Sequence, residues 1–127
     1  MKADKKKTPV VEGVEFAKAV ARIAEEHRAE DVVVLDLRGL TSIADYFVIG
    51  TGTSDRQTRA VIDRIDAHCH EIGQKRFGLC GYDTATWVLA DYVDVVVHMF
   101  DAEHRRYYDL ELLWGDAPRV EWENGKA

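Results

Sequence analysis

Cysteine is scarce in this 127-residue chain, and the scarcity excludes two classes at once. Cys69 and Cys80 are too few for a disulfide framework, and their spacing fits no zinc-ligand pattern. Cys69 falls on the apolar side of a predicted helix, where a free thiol behaves as a small hydrophobe. Both cysteines therefore read as reduced core residues of a cytoplasmic protein. Long apolar runs are also absent: none approaches the roughly 20 residues of a membrane span. Met1 to Thr8 is basic and polar with no apolar stretch behind it, which argues against a secretory signal. There is no internal repeat and no low-complexity segment. What remains is a chain 46% hydrophobic and 31% charged, a balance that fits one soluble domain large enough to bury its own core.

Positive charge is lacking where a nucleic-acid binder would need it. Residues 1–76 carry 13 Lys and Arg against 13 Asp and Glu, whereas residues 77–127 carry 4 against 10, so the whole net charge of −6 lies in the C-terminal part. Gripping a phosphate backbone calls for the opposite sign. Acidity there serves either solubility or attraction of a basic protein partner.

Periodicity orders the chain into elements. Residues 1–8 read as a disordered basic tail, 9–118 as the folded domain and 119–127 as a loose C-terminal tail. Thr8 caps a first helix with Pro9 in its opening turn, and Val10, Val14, Ala17, Val20, Ala21 and Ala24 make one apolar stripe. Val32 to Leu35 is a β-branched run that suits a strand covered on both faces. Tyr46 to Ile49 is a second strand, beyond a turn at Gly39. Ser54 to Gln57 forms a capping box for a second helix with Thr58, Val61, Ile62, Ile65, Cys69 and Ile72 inward, and Gly73 ends it. Arg76 to Gly81, Trp87 to Ala90 and Val95 to Phe100 are three further strands, and His104 to Trp114 reads as short helical turns. The order implies an α/β fold, a single domain with a mixed β-sheet flanked by helices.

Catalytic machinery is not evident. Gly50-Thr51-Gly52-Thr53-Ser54-Asp55 follows a strand and opens a helix, as a phosphate loop does. It lacks the third glycine of a dinucleotide fingerprint and the Gly-Lys-Ser/Thr end of a P-loop, and reads first as structural punctuation. Nucleotidyl transfer would need paired carboxylates holding metal beside it, but Asp36, Asp55, Asp91 and Asp94 make no such pair. His68 and His70 are about 200° apart on a helix, so they cannot share a metal on one face. No cofactor or metal is expected. Arg105, Arg106, Tyr107 and Tyr108 stand among Asp101, Glu103, Asp109 and Glu111, so the arginines are expected to pair with acids and the tyrosines to anchor the helix to the sheet. Strand alternation places His98 with Val96 and Phe100, fitting either a core position or an interface donor. Trp87 and Trp114 fit either the core or an interface anchor.

Several pieces, taken in order, carry a resemblance. They are Asp45-Tyr46-Phe47-Val48-Ile49, Thr51-Gly52-Thr53-Ser54, Trp87 with Asp91-Tyr92, Asp94 to Phe100, Arg106 with Tyr107-Tyr108, and Leu110 to Trp114. From Asp31 to Pro118 the chain resembles the ribosomal silencing factors, the Iojap-like family. That resemblance implies a nucleotidyltransferase-like topology without the catalytic site. It implies a non-enzymatic repressor that binds the large ribosomal subunit at ribosomal protein fourteen, blocks joining of the small subunit and damps translation when nutrients are scarce. It also implies frequent dimers. Trp87, Asp91, Tyr92 and His98, on the two best-matching strands, are the expected partner-binding residues. Parity puts Trp87 and Asp91 on one face and Tyr92 opposite unless the turn has begun, so the first two lead. Two positions depart from the family's usual pattern. Val93 stands for a glycine, and because a β-branched residue resists positive φ, that turn is expected to differ. Cys80 stands for an acid. The alternative reading is a divergent nucleotide-binding or nucleotidyltransferase enzyme that uses the Gly50–Asp55 loop.

Overall fold

The computed structural model describes residues 13–123, so the expected Thr8 cap and Pro9 turn lie outside the described residues. The elements are helix α1 (Gly13–Glu26), strands β1 (Glu30–Asp36) and β2 (Tyr46–Thr51), and helix α2 (Asp55–Glu71). Strands β3 (Gly78–Cys80), β4 (Trp87–Asp91) and β5 (Val95–Phe100) follow, then helices α3 (Ala102–Tyr108) and α4 (Leu110–Leu113). The strands form one five-stranded sheet in the order β1-β2-β5-β4-β3. Only the central pair, β2 with β5, is parallel, and the other neighbours are antiparallel. A parallel pair needs a long crossover, and α2 supplies it.

The two faces of the sheet are covered differently. On one face Val34, Tyr46, Val48, Val88, Ala90, Val95, Val97 and Met99 meet the apolar stripes of α1 and α2. In α1 that stripe includes Phe16 and Ile23 beside the expected Ala17, Val20, Ala21 and Ala24. The Ser54 hydroxyl caps α2 by accepting the Gln57 N–H at 3.1 Å. The Gln57 side chain reaches back one residue further than a standard box, with Oε1 accepting from Thr53 N–H at 2.9 Å. Its amide also donates to the His27 carbonyl at 2.7 Å, which ties α2 to the end of α1. Gly73 ends the helix at φ +77°, a left-handed conformation that glycine adopts at little cost.

The second face holds Leu35, Phe47, Ile49, Val96 and Phe100, with Leu37, Ala44 and Ala117 folded over them. Leu110 and Trp114 complete the cover only in part. The central strands β2 and β5 are buried along their whole length, as a strand clothed on both faces should be.

Three expectations are corrected. The segment from 119 onward is not loose as far as it is described. The Asp36 N–H donates to the Pro118 carbonyl at 2.8 Å, and the Val120 N–H to the Val34 carbonyl at 2.9 Å, which lays the segment along the outer edge of β1. Trp122 then buries its ring in the helix-side core and donates its indole N–H to the Val32 carbonyl at 3.2 Å. Exposed backbone on an edge strand and a large aromatic nearby were reasons for this segment to dock, and periodicity does not register either one. Cys80 is exposed, because β3 is a short edge strand with nothing packed outside that position, so only Cys69 is a core thiol. Val93 does not avoid positive φ: its backbone sits at φ +76° despite the branched side chain. The Asp91 carboxylate accepts the Val93 N–H at 2.8 Å and holds the turn closed.

Candidate partner-docking site

Alternation along β4 and β5 decides which side chains meet. Trp87 pairs with Phe100, Leu89 with His98 and Asp91 with Val96, so all six project from the second face. Helix α3 is anchored beside them. The Asp101 carboxylate caps it by accepting the His104 N–H at 2.8 Å. Arg105 grips Glu111 through two bonds of 3.1 Å and reaches the Thr51 hydroxyl at 2.9 Å. Such a forked, part-buried pair fixes the angle between α3 and α4. Asp109, at φ +46°, is at once the C-cap of α3 and the N-cap of α4. Arg105 therefore pairs with an acid as expected.

The two tyrosines part company. Tyr108 lies 4.6 Å from Trp87, centroid to centroid, and anchors α3 to the sheet. Tyr107 points outward and is 79% exposed. Only one of them is the anchor that the sequence suggested.

An aromatic row results. The Trp87 ring stacks on Phe100 at 4.9 Å and donates its indole N–H to His98 Nδ1 at 3.1 Å. His98 meets Phe47 edge-on at 4.4 Å, and Phe47 meets Trp114 at 6.1 Å. Burial pushes the His98 pKa down to about 4, so the imidazole is neutral near pH 7. Trp87, Leu89 and Asp91 are half-buried, and the row ends at exposed Tyr107 and Tyr108. Further apolar side chains stand exposed: Leu112 and Leu113 on α4, and Phe77 and Val93 just before β3 and just after β4. The sequence marks Val93 only as a turn residue and Leu112 and Leu113 only as part of the Leu110 to Trp114 stretch, and it gives no sign of Phe77. Their exposure follows from short elements at the sheet's rim, which leave no apolar period to read.

Of the four expected partner-binding residues, the structure brings Trp87, Asp91 and His98 to one face and sends Tyr92 to the other. Tyr92 is fully buried beneath the helices, with its ring edge-on to Phe16 at 5.7 Å and its hydroxyl donating to Asp66 at 3.1 Å. Burial, first of all, pushes its phenol pKa well up. It is a core residue with no surface to offer, because β4 has only just ended and strand alternation still applies to it. His98 shares the right face but lies beneath it, 3% exposed, so it cannot contact a partner directly.

The Gly50–Asp55 loop is occupied by its own packing. The Gly52 N–H donates to the Phe100 carbonyl at 2.7 Å, and a Cβ there would sit 1.8 Å from the Thr58 hydroxyl. The loop's amides at 52 and 53 are thus committed, and glycine 52 is required by the close approach of α2. Among the described residues no three of His, Cys, Asp and Glu are grouped so as to hold a metal ion, and no helix is long and apolar enough to cross a membrane.

Comparison with known proteins agrees with this architecture. Residues 11–127 match the family model described as ribosomal silencing factor during starvation. The chain is 44% identical over 108 residues to ribosomal silencing factor RsfS of Bacillus subtilis, covering 85% of this chain and 92% of that protein. It is 37% identical over 113 residues to the chloroplastic protein Iojap of Zea mays, covering 87% of this chain but 48% of that one. A solved structure from Chromobacterium violaceum superposes with a TM-score of 0.80 at 33% identity, covering 92% of this chain and 97% of the other. With fold, length and sequence in agreement, the chain belongs to the ribosomal silencing factor family.

Proposed function

We propose that this domain is a cytoplasmic, non-enzymatic repressor of translation. It binds the large ribosomal subunit at ribosomal protein fourteen and, by occupying that surface, blocks joining of the small subunit when nutrients are limiting. The observation that carries the reading is the half-open face of β4, where Trp87, Leu89 and Asp91 stand beside Tyr107 and Tyr108. Aromatic anchors beside a carboxylate suit a basic protein surface: the rings offer area at low entropic cost, and Asp91 accepts charge-assisted hydrogen bonds from Lys or Arg. The −6 balance confined to residues 77–127 adds long-range attraction to such a partner. Steric occupancy needs no turnover, which fits a phosphate-loop position whose amides serve packing.

The test is co-sedimentation with purified large and small subunits, followed by a subunit-joining assay. The wild type is expected to travel with the large subunit and to prevent joining. Trp87→Ala with Asp91→Ala, folded by circular dichroism, is expected to do neither. A folded double variant that still binds and still blocks joining would move the docking surface elsewhere on the molecule.

A further inference from the structure

His98 is an expensive choice for its position. Its strand neighbours on the same face, Val96 and Phe100, are apolar, and it is as deeply buried as they are. Its Nδ1 accepts the Trp87 indole N–H, so the neutral ring carries its own hydrogen on Nε2. That nitrogen is buried with no hydrogen-bond partner among the described residues. An unpaired buried donor costs stability, and an apolar residue would avoid the cost. What His98 provides in return is one directed bond, to the indole of Trp87.

That bond changes what Trp87 can show to a partner. The ring is held by Phe100 at 4.9 Å, by Tyr108 at 4.6 Å and by His98 at its only polar atom. We infer that His98 is a positioning residue for docking: it takes the indole N–H inward, fixes the ring, and leaves only carbon for the partner to meet. The inference rests on the docking role proposed for Trp87. It selects the chemistry of the opposing group. A carbonyl seeking a donor finds none there, whereas an aliphatic chain or the guanidinium of an arginine fits a carbon surface rich in π density. The acidic surroundings favour the cation.

Two measurements test it. In the free protein, a scalar coupling through the hydrogen bond between Trp87 Nε1 and His98 Nδ1 is expected in nitrogen-15 spectra. Its absence from a folded sample overturns the inference. In co-sedimentation with large subunits, His98→Phe keeps a ring but removes the acceptor, and is expected to weaken binding about tenfold. His98→Asn places an oxygen near the Nδ1 position and is expected to recover most of that loss. Purely structural filling predicts the reverse order, with phenylalanine the better tolerated. If both folded variants bind like the wild type, or phenylalanine binds better than asparagine, the positioning role is wrong while the docking face stands. If the wild type itself does not travel with the large subunit, the docking reading fails, and the role given to His98 fails with it.

Discussion

The helix-covered face of the sheet and its opposite face are made from the same strands, yet they end in different states. Under α1 and α2, strand residues such as Val88, Ala90 and Val97 disappear completely, and even the polar Tyr92 is closed in with Asp66 as its partner. On the other side α3 and α4 have seven and four residues, too few to cover β4, so Trp87, Leu89 and Asp91 stay half-open. A long amphipathic helix stabilises a fold by covering a whole face, whereas a short one leaves surface for a partner. On the proposed function the closed face carries stability and the open face docking, and substitutions can separate the two.

The largest expected effect is on the closed face. Ile62→Ala removes a fully buried side chain of α2 and should lower unfolding free energy by about 2–5 kcal/mol in urea titrations. At temperatures where the variant remains folded, large-subunit binding should be unchanged. On the open face Trp87→Ala should do the opposite, weakening docking by about 2 kcal/mol or more with a smaller cost in melting temperature. Equal losses of stability from both variants would erase the distinction between the faces.

His98 sharpens the comparison, since it belongs to the open face and yet is buried. Its pKa falls from an ordinary 6.5 to about 4 in the folded state. The unfolded chain therefore binds a proton in that window that the folded one refuses, and stability present above pH 6.5 is lost as pH falls toward 4. Between pH 7 and pH 5 the loss should be on the order of 2 kcal/mol, and it should vanish in His98→Phe. Denaturant titrations of both proteins at the two pH values measure it. The smallest effect concerns Val93, held at φ +76° on the exposed rim. Val93→Gly relieves a left-handed valine and should raise stability by roughly 1 kcal/mol, read as a higher melting temperature. A fall instead would mean that the isopropyl group packs usefully.

How far the sequence reveals this architecture follows from the same contrast. Elements with a long period are legible, because α2 carries a cap, a stripe and a terminator, and β5 alternates through Val95, Val97 and Met99. Parity alone separates Trp87 and Asp91 from Tyr92. What is not legible depends on partners distant in sequence. Nothing local to His98 says that Trp87 will donate to it, and nothing local to Trp122 says that it will cross to Val32. The outward turn of Tyr107 beside an anchored Tyr108 is decided by where α3 lands on the sheet. Of the docking residues, those on strands could be placed beforehand, whereas those on the rim needed the fold.

The segment that lies along β1 also sets an order of events. Val32 and Trp122 are 90 positions apart, so the edge of the sheet is made long before the stretch that covers it. A growing chain presents β1 with open amides and carbonyls until the last turn of the domain has passed. The opposite edge, β3, is only three residues long and offers a second chain little to pair with. Cover for that edge against strand-by-strand stacking with other copies is therefore acquired only once residues 118–122 have been made, and Trp122 completes it.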